Sequence, residues 1–213
     1  MAAIVLTTAV AGAACRTAGP APAAATPPIV QPGAPGQPSQ VIAASRASDL
    51  SQVQFTGADI KFMQGMIGHH AQAVEMVALV SSRTASDDIR KLALRIDVSQ
   101  QDEMNMMREW LQARAQQIPD PRLHHMMGAA LMPGMLTPEA MARLVAATGA
   151  AFDRLFLEGM ITHHAGAITM VHELFATDGA GQTPEIFSYA SDVDADQRME
   201  IDRMESLLKE LQK

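Results

Sequence analysis

Residues 65–77 read GMIGHHAQAVEMV, and residues 159–171 read GMITHHAGAITMV. Nine of the thirteen positions are identical. Each copy is followed by a second shared segment, because residues 100–111 and 197–208 both follow the pattern Gln-x-x-Glu-(Met/Ile)-x-x-Met. The sequence therefore predicts an internal duplication whose unit is two long segments rather than a short solenoid repeat.

All four repeated segments carry helix signals. Thr56 with Asp59 predicts a capping box, Ser86 predicts a second N-cap, and Thr183 before Pro184 predicts a third. The predicted helices span residues 57–82, 87–117, 150–176 and 184–212. Long helices with short loops inside each half predict an all-α antiparallel four-helix bundle, residues 57–213, made of two duplicated αα-hairpins, 57–117 and 150–212. The connector, residues 118–149, is predicted to hold a short helix that begins at Thr137.

Composition excludes several classes of function. The 213 residues carry a net charge of −7, with 16 Lys and Arg against 23 Asp and Glu, so no nucleic acid partner is expected. The single Cys excludes an internal disulfide framework, a Cys-based zinc ribbon and an iron–sulfur cluster within one chain. Methionine is unusually frequent, with 16 Met against six Phe, one Trp and one Tyr.

The amino terminus has the pattern of an exported protein. Residues 2–14 read AAIVLTTAVAGAA, an apolar run too short to span a bilayer, and Cys15 follows it. Residues 1–15 are predicted to be a signal peptide, with Cys15 as a lipidation site and membrane tether. Residues 16–56 form a Pro- and Ala-rich tether. The predicted location is periplasmic or at the cell surface, with lipid anchoring at Cys15; the alternative is an incidental Cys in a cytosolic chain.

Histidine and methionine share one face of each repeated helix. At 100° per residue, the arc they occupy is about 140° wide, which is the face that a bundle buries. A Met stripe is often only core filling, but two adjacent His on such a face in both halves point to metal. Leu157 replaces the first Met in the second copy. The candidate metal ligands are Met63, Met66, His69, His70, Met76, Met160, His163, His164 and Met170, with Met104, Met107 and Met204 on the partner helices.

The softness of the candidate ligands indicates which metal they would bind. Thioether and imidazole together suit Cu(I), and imidazole also accepts Cu(II). A di-iron site needs Glu-x-x-His motifs, which this chain lacks. Glu103 and Glu200 recur but fall at the flank of the predicted face, whereas Gln100 and Gln197 are nearer its centre. Copper, with Cu(I) favoured, is therefore the predicted metal, bound in one central site or in two equivalent sites.

The connector adds a second cluster, His124, His125, Met126 and Met127. It is either a second, more exposed metal site or a solvated loop.

The doubled Met-Ile-x-His-His-Ala-x-Ala-(Val/Ile)-x-Met motif, with the Gln-x-x-Glu motif after each copy, resembles the family of domain of unknown function 305. The Met132-Pro-Gly-Met135 stretch and Gly149-x-x-Phe152-Asp153 are similar to that family too. The resemblance covers about residues 57–211. It implies a ferritin-like helical bundle, export, and binding of copper and sometimes silver, as in its CopM-like periplasmic members. By motif match it implies the paired His together with Met66, Met76, Met160 and Met170.

Three functions compete. The leading hypothesis is a non-enzymatic copper buffer or carrier outside the cytoplasm, which exchanges metal with a donor or acceptor protein. The second is a copper-dependent oxidase or a ferritin-like peroxidase or ferroxidase. The third is a structural bundle that docks a partner through methionine-rich surfaces, for which the off-face Met106 and Met199 are the best support. The sequence leaves the oligomeric state open.

Overall fold

The computed structural model describes residues 28–31, 39–47, 54–122 and 131–211. The chain divides into two compact units, residues 1–50 and 51–213. The predicted signal peptide with Cys15, and the cluster His124–Met127, lie outside the described residues. Within the described residues, no helix is long and apolar enough to cross a membrane.

The first unit contains local structure within the predicted tether. Strand β1 (Ile29–Gln31) pairs antiparallel with β2 (Gln40–Ile42), and a short helix α1 (Ala44–Ala47) follows. The β-branched residues Ile29, Val30, Val41 and Ile42 favour extended backbone, although Pro-rich sequence surrounds them. Composition alone did not predict this hairpin.

The second unit is mostly helical. Its elements are α2 (Gly57–Ala78), α3 (Val80–Arg83), α4 (Asp87–Ala113), α5 (Pro138–Ala146), α6 (Gly149–Phe175) and α7 (Pro184–Leu211). The first predicted helix is interrupted at Leu79. Helix α4 ends four residues before the predicted position because Ala115 adopts a left-handed φ of 52°. Gln116 N–H then donates to Leu111 O at 2.9 Å, which closes a Schellman motif.

Side-chain caps explain where three helices begin. Asp59 N–H donates to Thr56 Oγ1 at 3.2 Å, and Thr56 N–H donates to the Asp59 carboxylate at 2.6 Å, so the predicted capping box is present. Ser86 caps α4, and Thr137 caps the connector helix α5. The predicted Thr183 side-chain cap is wrong, because its Oγ1 is buried without a hydrogen-bond partner. Helix α7 nevertheless begins at Pro184.

The helices pack as two hairpins, α2 with α4 and α6 with α7, and the hairpins meet through α2 and α6. Buried apolar side chains form two clusters. Core 1 joins the first half of α2 to the second half of α4, and core 2 joins the opposite halves, so the paired helices are antiparallel. Core 1 includes Phe62, Met66, Met107, Trp110 and Tyr189, and core 2 includes Met76, Ile96, Phe156, Met160 and Met204.

Candidate metal centre

A layer of polar residues, all buried except the half-buried Glu103, lies between the two apolar cores. On α6, the buried part of core 2 extends to Met160 and core 1 begins at Ala167, so His163 and His164 lie between them. The histidines of both copies are at most 1% exposed. Burying so many polar groups between apolar cores is unfavourable unless each group is satisfied. We call this set the polar layer; it consists of His69, His70, Gln100, Glu103, His163, His164, Gln197 and Glu200.

The four imidazole rings are consecutive neighbours. The centroids of His69 and His163, one from each copy of the motif, are 3.9 Å apart with an interplanar angle of 39°. The His69–His70 and His163–His164 centroid distances are both 6.3 Å. The duplication therefore brings its two histidine pairs together at the contact between α2 and α6.

The inner histidines, His69 and His163, are held in one tautomer. His69 Nε2–H donates to Pro133 O, and His163 Nε2–H donates to His69 O, both at 2.9 Å. A carbonyl oxygen carries no hydrogen, so Nε2 is the protonated nitrogen and, in the neutral ring, Nδ1 keeps its lone pair. Burial, and to a smaller extent the electrostatic interaction with His70, lowers the pKa of His69 to about 3. Burial and then the charge of His69 hold the pKa of His163 well below its usual range. Both rings are therefore neutral near pH 7.

The outer histidines, His70 and His164, have carboxylate partners. His70 Nε2 lies 2.7 Å from Glu103 Oε2, and His164 Nε2 lies 2.7 Å from Glu200 Oε2. Neither glutamate was predicted to be a ligand, although both were correctly described as recurring at the flank of the face. A flank position on α4 or α7 lies opposite the adjacent helix, and the glutamate side chain is long enough to reach it. Carboxylates that bind the far nitrogen of an imidazole are typical supports of metal-binding histidines.

The two glutamates differ in their second neighbour. Arg95 Nε lies 3.5 Å from Glu200 Oε1, so a cation adjoins that carboxylate. Near Glu103 the neighbour is the Tyr189 phenol, and burial together with the Glu103 carboxylate raises the pKa of Tyr189 well above its usual range. The two halves of the layer are therefore similar in ligand type but different in charge.

Several buried polar atoms of the layer have no hydrogen-bond partner. The Nδ1 atom of each of the four paired histidines is in this state, as are both amide atoms of Gln100 and Oε1 of Gln197. In all four histidines, Nε2 is bound and Nδ1 is unbound. Lone-pair nitrogens buried without a partner are what a metal ion would satisfy.

The connector crosses this layer as a strap, residues 132–136. Pro133 and Gly134 form a tight turn closed by Met135 N–H donating to Met132 O at 3.2 Å, with a φ of 74° at Gly134. The strap lies directly on α6, where a Cβ at Gly166 would be 1.9 Å from Pro133 O. The strap was not predicted to be part of the site, although its Pro-Gly dipeptide is typical of a turn.

Gln72 holds the other end of the strap against α2. Its amide donates to Leu136 O at 3.0 Å and accepts from Leu136 N–H at 2.7 Å. Gln72 occupies in the first copy the position that Gly166 occupies in the second. These two positions therefore break the symmetry of the repeat and fix the strap.

The predicted methionine ligands are all buried, but they lie in the apolar cores on both sides of the layer. Core 1 holds Met63, Met66, Met104, Met107 and Met170, and core 2 holds Met76, Met160 and Met204. Tyr189 O–H donates to Met107 Sδ at 3.2 Å. Of the two off-face methionines, Met106 packs partly against core 1, whereas Met199 is 53% exposed. Among residues 28–31, 39–47, 54–122 and 131–211, no group of three or more His, Cys, Asp or Glu is arranged to hold a metal ion.

Comparison with solved structures gives four informative matches, one to a DUF305 protein and three to forms of CopM. A protein from Streptomyces coelicolor named as a secreted DUF305 protein is 31% identical, covers 72% of this chain and 93% of its own, and has a TM-score of 0.63. CopM in its Cu(I)-bound form is 26% identical, covers 74% and 98%, and has a TM-score of 0.57. Structures of CopM in Cu(II)- and Ag-bound forms also match, at 25% and 27% identity.

A shorter match involves an uncharacterized protein of Acanthamoeba polyphaga mimivirus. It is 39% identical over 56 residues, which is 26% of this chain and 37% of the length of the viral protein. The sequence model of one family matches residues 59–208, a range that includes both copies of the histidine motif, the strap and both glutamates. The chain therefore belongs to the family described as domain of unknown function, DUF305.

Proposed function

We propose that this protein binds copper, with Cu(I) favoured, and acts outside the cytoplasm as a buffer or carrier in metal tolerance. The observation that carries the proposal is the state of the four paired histidines, whose Nε2 atoms are bound while their buried Nδ1 atoms are not. The metal is cargo, and the ligands are these nitrogens together with thioethers from the adjoining cores.

The donor set favours copper over harder cations. Neutral imidazole and thioether are ligands for Cu(I), and imidazole also accepts Cu(II). The low pKa values of His69 and His163 keep these nitrogens unprotonated near pH 7, so that a proton does not compete with the metal. The similarity to CopM, which has been solved with Cu(I), Cu(II) and silver, supports the same choice of metal.

The remaining parts of the proposal rest on the sequence. A ferritin-like bundle, a signal peptide and lipidation at Cys15 fit the four long helices and the apolar amino terminus. A similar protein named as secreted supports export. The proposed partners are a metal donor and a metal acceptor protein, and the proposed activity is binding rather than catalysis.

An anaerobic Cu(I) titration of the full chain against a chromophoric chelator tests the proposal. We expect the chain to compete with the chelator. The variant His69→Asn/His163→Asn should compete at least about tenfold less well, because it lacks two of the proposed ligand nitrogens. The matched control is His172→Asn, because His172 is exposed on α6 and contacts Asp194 at the surface. Circular dichroism and the fluorescence of Trp110 verify that each variant is folded.

Two outcomes would overturn the proposal. If the double variant binds copper as tightly as the parent chain, the polar layer is not the site. If neither protein competes and no metal raises the melting temperature, the histidines serve the core and the structural hypothesis replaces copper binding, because a ligand of the native state must stabilise it. Oxidase activity above that of free copper, lost in the double variant, would favour the enzyme instead.

A further inference from the structure

The side chains of two methionines approach the same residue of α2, Gly65, outside the polar layer. A Cβ built on Gly65 would lie 3.4 Å from Met132 Sδ and 3.4 Å from Met170 Cε. Met132 belongs to the strap and Met170 to α6, so two distant parts of the chain supply one thioether each. Both methionines therefore come within van der Waals contact of the position that a side chain at residue 65 would occupy. We call Met132 and Met170 the thioether pair.

The thioether pair lines a surface cleft of about 290 Å³. Met132 is half-buried, Met170 is 9% exposed, and apolar walls come from Phe62 and Leu174. Two exposed charged residues of opposite sign, Lys61 and Glu173, also line the cleft. Pro133 also lines the cleft, and its carbonyl oxygen accepts the hydrogen bond from His69. The cleft therefore extends from solvent to a residue in direct contact with the polar layer.

The second copy of the repeat has a matching position with different chemistry. Gly159 is the equivalent of Gly65, and a Cβ there would lie 3.2 Å from Met76 Cε and 3.2 Å from Leu136 Cδ2. Met76 and Met170 are equivalent in the repeat. The methionine of each copy therefore contacts the glycine of the other copy, Met170 at Gly65 and Met76 at Gly159. The strap supplies the difference, because it contributes a thioether at Gly65 and an isobutyl group at Gly159.

We infer that the thioether pair is a second binding site for a soft monovalent cation, Cu(I) or Ag(I), on one side of the repeat only, in which Met170 serves the cleft instead of the polar layer. Thioether sulfur is uncharged, is not protonated at ordinary pH and prefers soft metals. The flexible methionine side chain can turn its sulfur toward an ion without movement of the backbone. With copper as the cargo proposed above, this pair is the first contact for metal that arrives from solvent on its way to His69.

Methionine-methyl NMR on the full chain tests this site directly. The chain is labelled with ¹³C at the methionine methyl groups and titrated with Ag(I), which has the charge and softness of Cu(I) without its oxidation chemistry. We expect the Met132 and Met170 signals to shift together. In Met132→Leu, which keeps the volume nearly unchanged, we expect the Ag(I) response of Met170 to weaken at least about tenfold, because one of two soft ligands is lost.

Two further variants sharpen the test. Met199→Leu is the matched control, since it removes an exposed methionine away from the cleft and is expected to leave the response of the pair unchanged. Leu136→Met places a second thioether at Gly159 and is expected to make the Met76 signal respond to Ag(I) more strongly than in the parent. If the Met76 response is unchanged in that variant, the claim that the strap residue makes the site one-sided is wrong.

The result is separable from the proposed function. Signals of Met132 and Met170 that do not shift, in a chain that still competes for Cu(I) through its histidines, would overturn the thioether pair and leave the copper proposal standing. The Met132 and Met170 signals can also be titrated with Ag(I) in the His69→Asn/His163→Asn variant. If they shift there as they do in the parent, the thioether pair binds the ion independently of the polar layer. If that same variant also keeps the full Cu(I) affinity of the parent, the copper proposal for the layer fails and the thioether pair remains.

Discussion

The rings of His69 and His163 lie 3.9 Å apart between their centroids, and each comes from a different copy of the same motif. Two imidazolium ions at this distance, away from water, would repel each other strongly. The contact therefore requires at least one neutral ring, and both pKa values are in fact lowered. The same contact makes the metal-free protein sensitive to acid.

We predict that the metal-free protein loses stability as the pH falls from 7 to 5. Free histidine titrates near 6.5, so the unfolded chain takes up protons in this range while His69, with a pKa of about 3, and His163 do not. The unfolded state then binds more protons, and the free energy of unfolding decreases by about 1.4 kcal/mol per pH unit for each such histidine below its unfolded pKa. Urea denaturation followed by Trp110 fluorescence measures this slope.

The variant His69→Asn/His163→Asn provides the comparison. Other titrating groups contribute to both proteins alike, so the difference between the two slopes isolates the inner histidines. We expect a shallower dependence in the variant. Equal slopes would show that these rings titrate in the native protein near their usual pKa.

We predict that Gly166→Ala destabilises the protein by about 2–4 kcal/mol, although alanine favours helix by about 1 kcal/mol over glycine. The added methyl would lie 1.9 Å from Pro133 O and 2.7 Å from Gly134 Cα, and both are backbone atoms of the strap. Gly68→Ala is the matched control inside α2, since its methyl would meet only the Met132 Cε at 3.5 Å. We expect that control to be neutral or stabilising. Thermal and urea unfolding compare the two, and equal effects would contradict the close approach.

We predict that Gln72→Leu loosens the strap without unfolding the helices. The substitution removes both hydrogen bonds to Leu136, with a loss of about 1–3 kcal/mol from the partly buried backbone groups left unpaired. Hydrogen exchange at the Leu136 amide should then accelerate by roughly tenfold or more. Gln64→Leu, which removes an exposed hydrogen bond to Gln117 O, is expected to leave that amide unchanged. Unaltered exchange in Gln72→Leu would mean that the strap is held elsewhere.

We predict that Glu103→Gln and Glu200→Gln each weaken Cu(I) binding by about 10–100-fold, because each carboxylate orients one histidine and raises its basicity. Chelator competition on the folded variants measures the effect. Glu109→Gln, an exposed glutamate on α4, serves as the control. A copper affinity that both substitutions leave untouched would remove His70 and His164 from the site.

The sequence predicted those features that depend on local signals. The bounds of α6 and α7 agree with the predicted helices to within one residue at each end, and the caps at Thr56, Ser86 and Thr137 form as expected, because capping needs only nearby residues. The helical period likewise placed all the paired histidines on buried faces. Those predictions need no knowledge of how the hairpins pack.

Features that depend on contacts between helices were missed. A helical wheel assigns Glu103 to a flank because it ignores the neighbouring helix, whose His70 lies 2.7 Å away. The role of Pro133 as an acceptor for His69 depends on a connector 64 residues further along the chain. Ala115 ends α4 in a left-handed conformation that its residue type does not signal. The choice of copper and the assignment of the ligands stay predictions.

The close contact at Gly166 limits what the two copies of the repeat could exchange. Gln72 stands at the equivalent position of the first copy, and its side chain at residue 166 would run into the backbone of the strap. The two copies are therefore not interchangeable within this chain. A swap of residues 72 and 166 would remove both the hydrogen bonds to Leu136 and the space that Pro133 occupies.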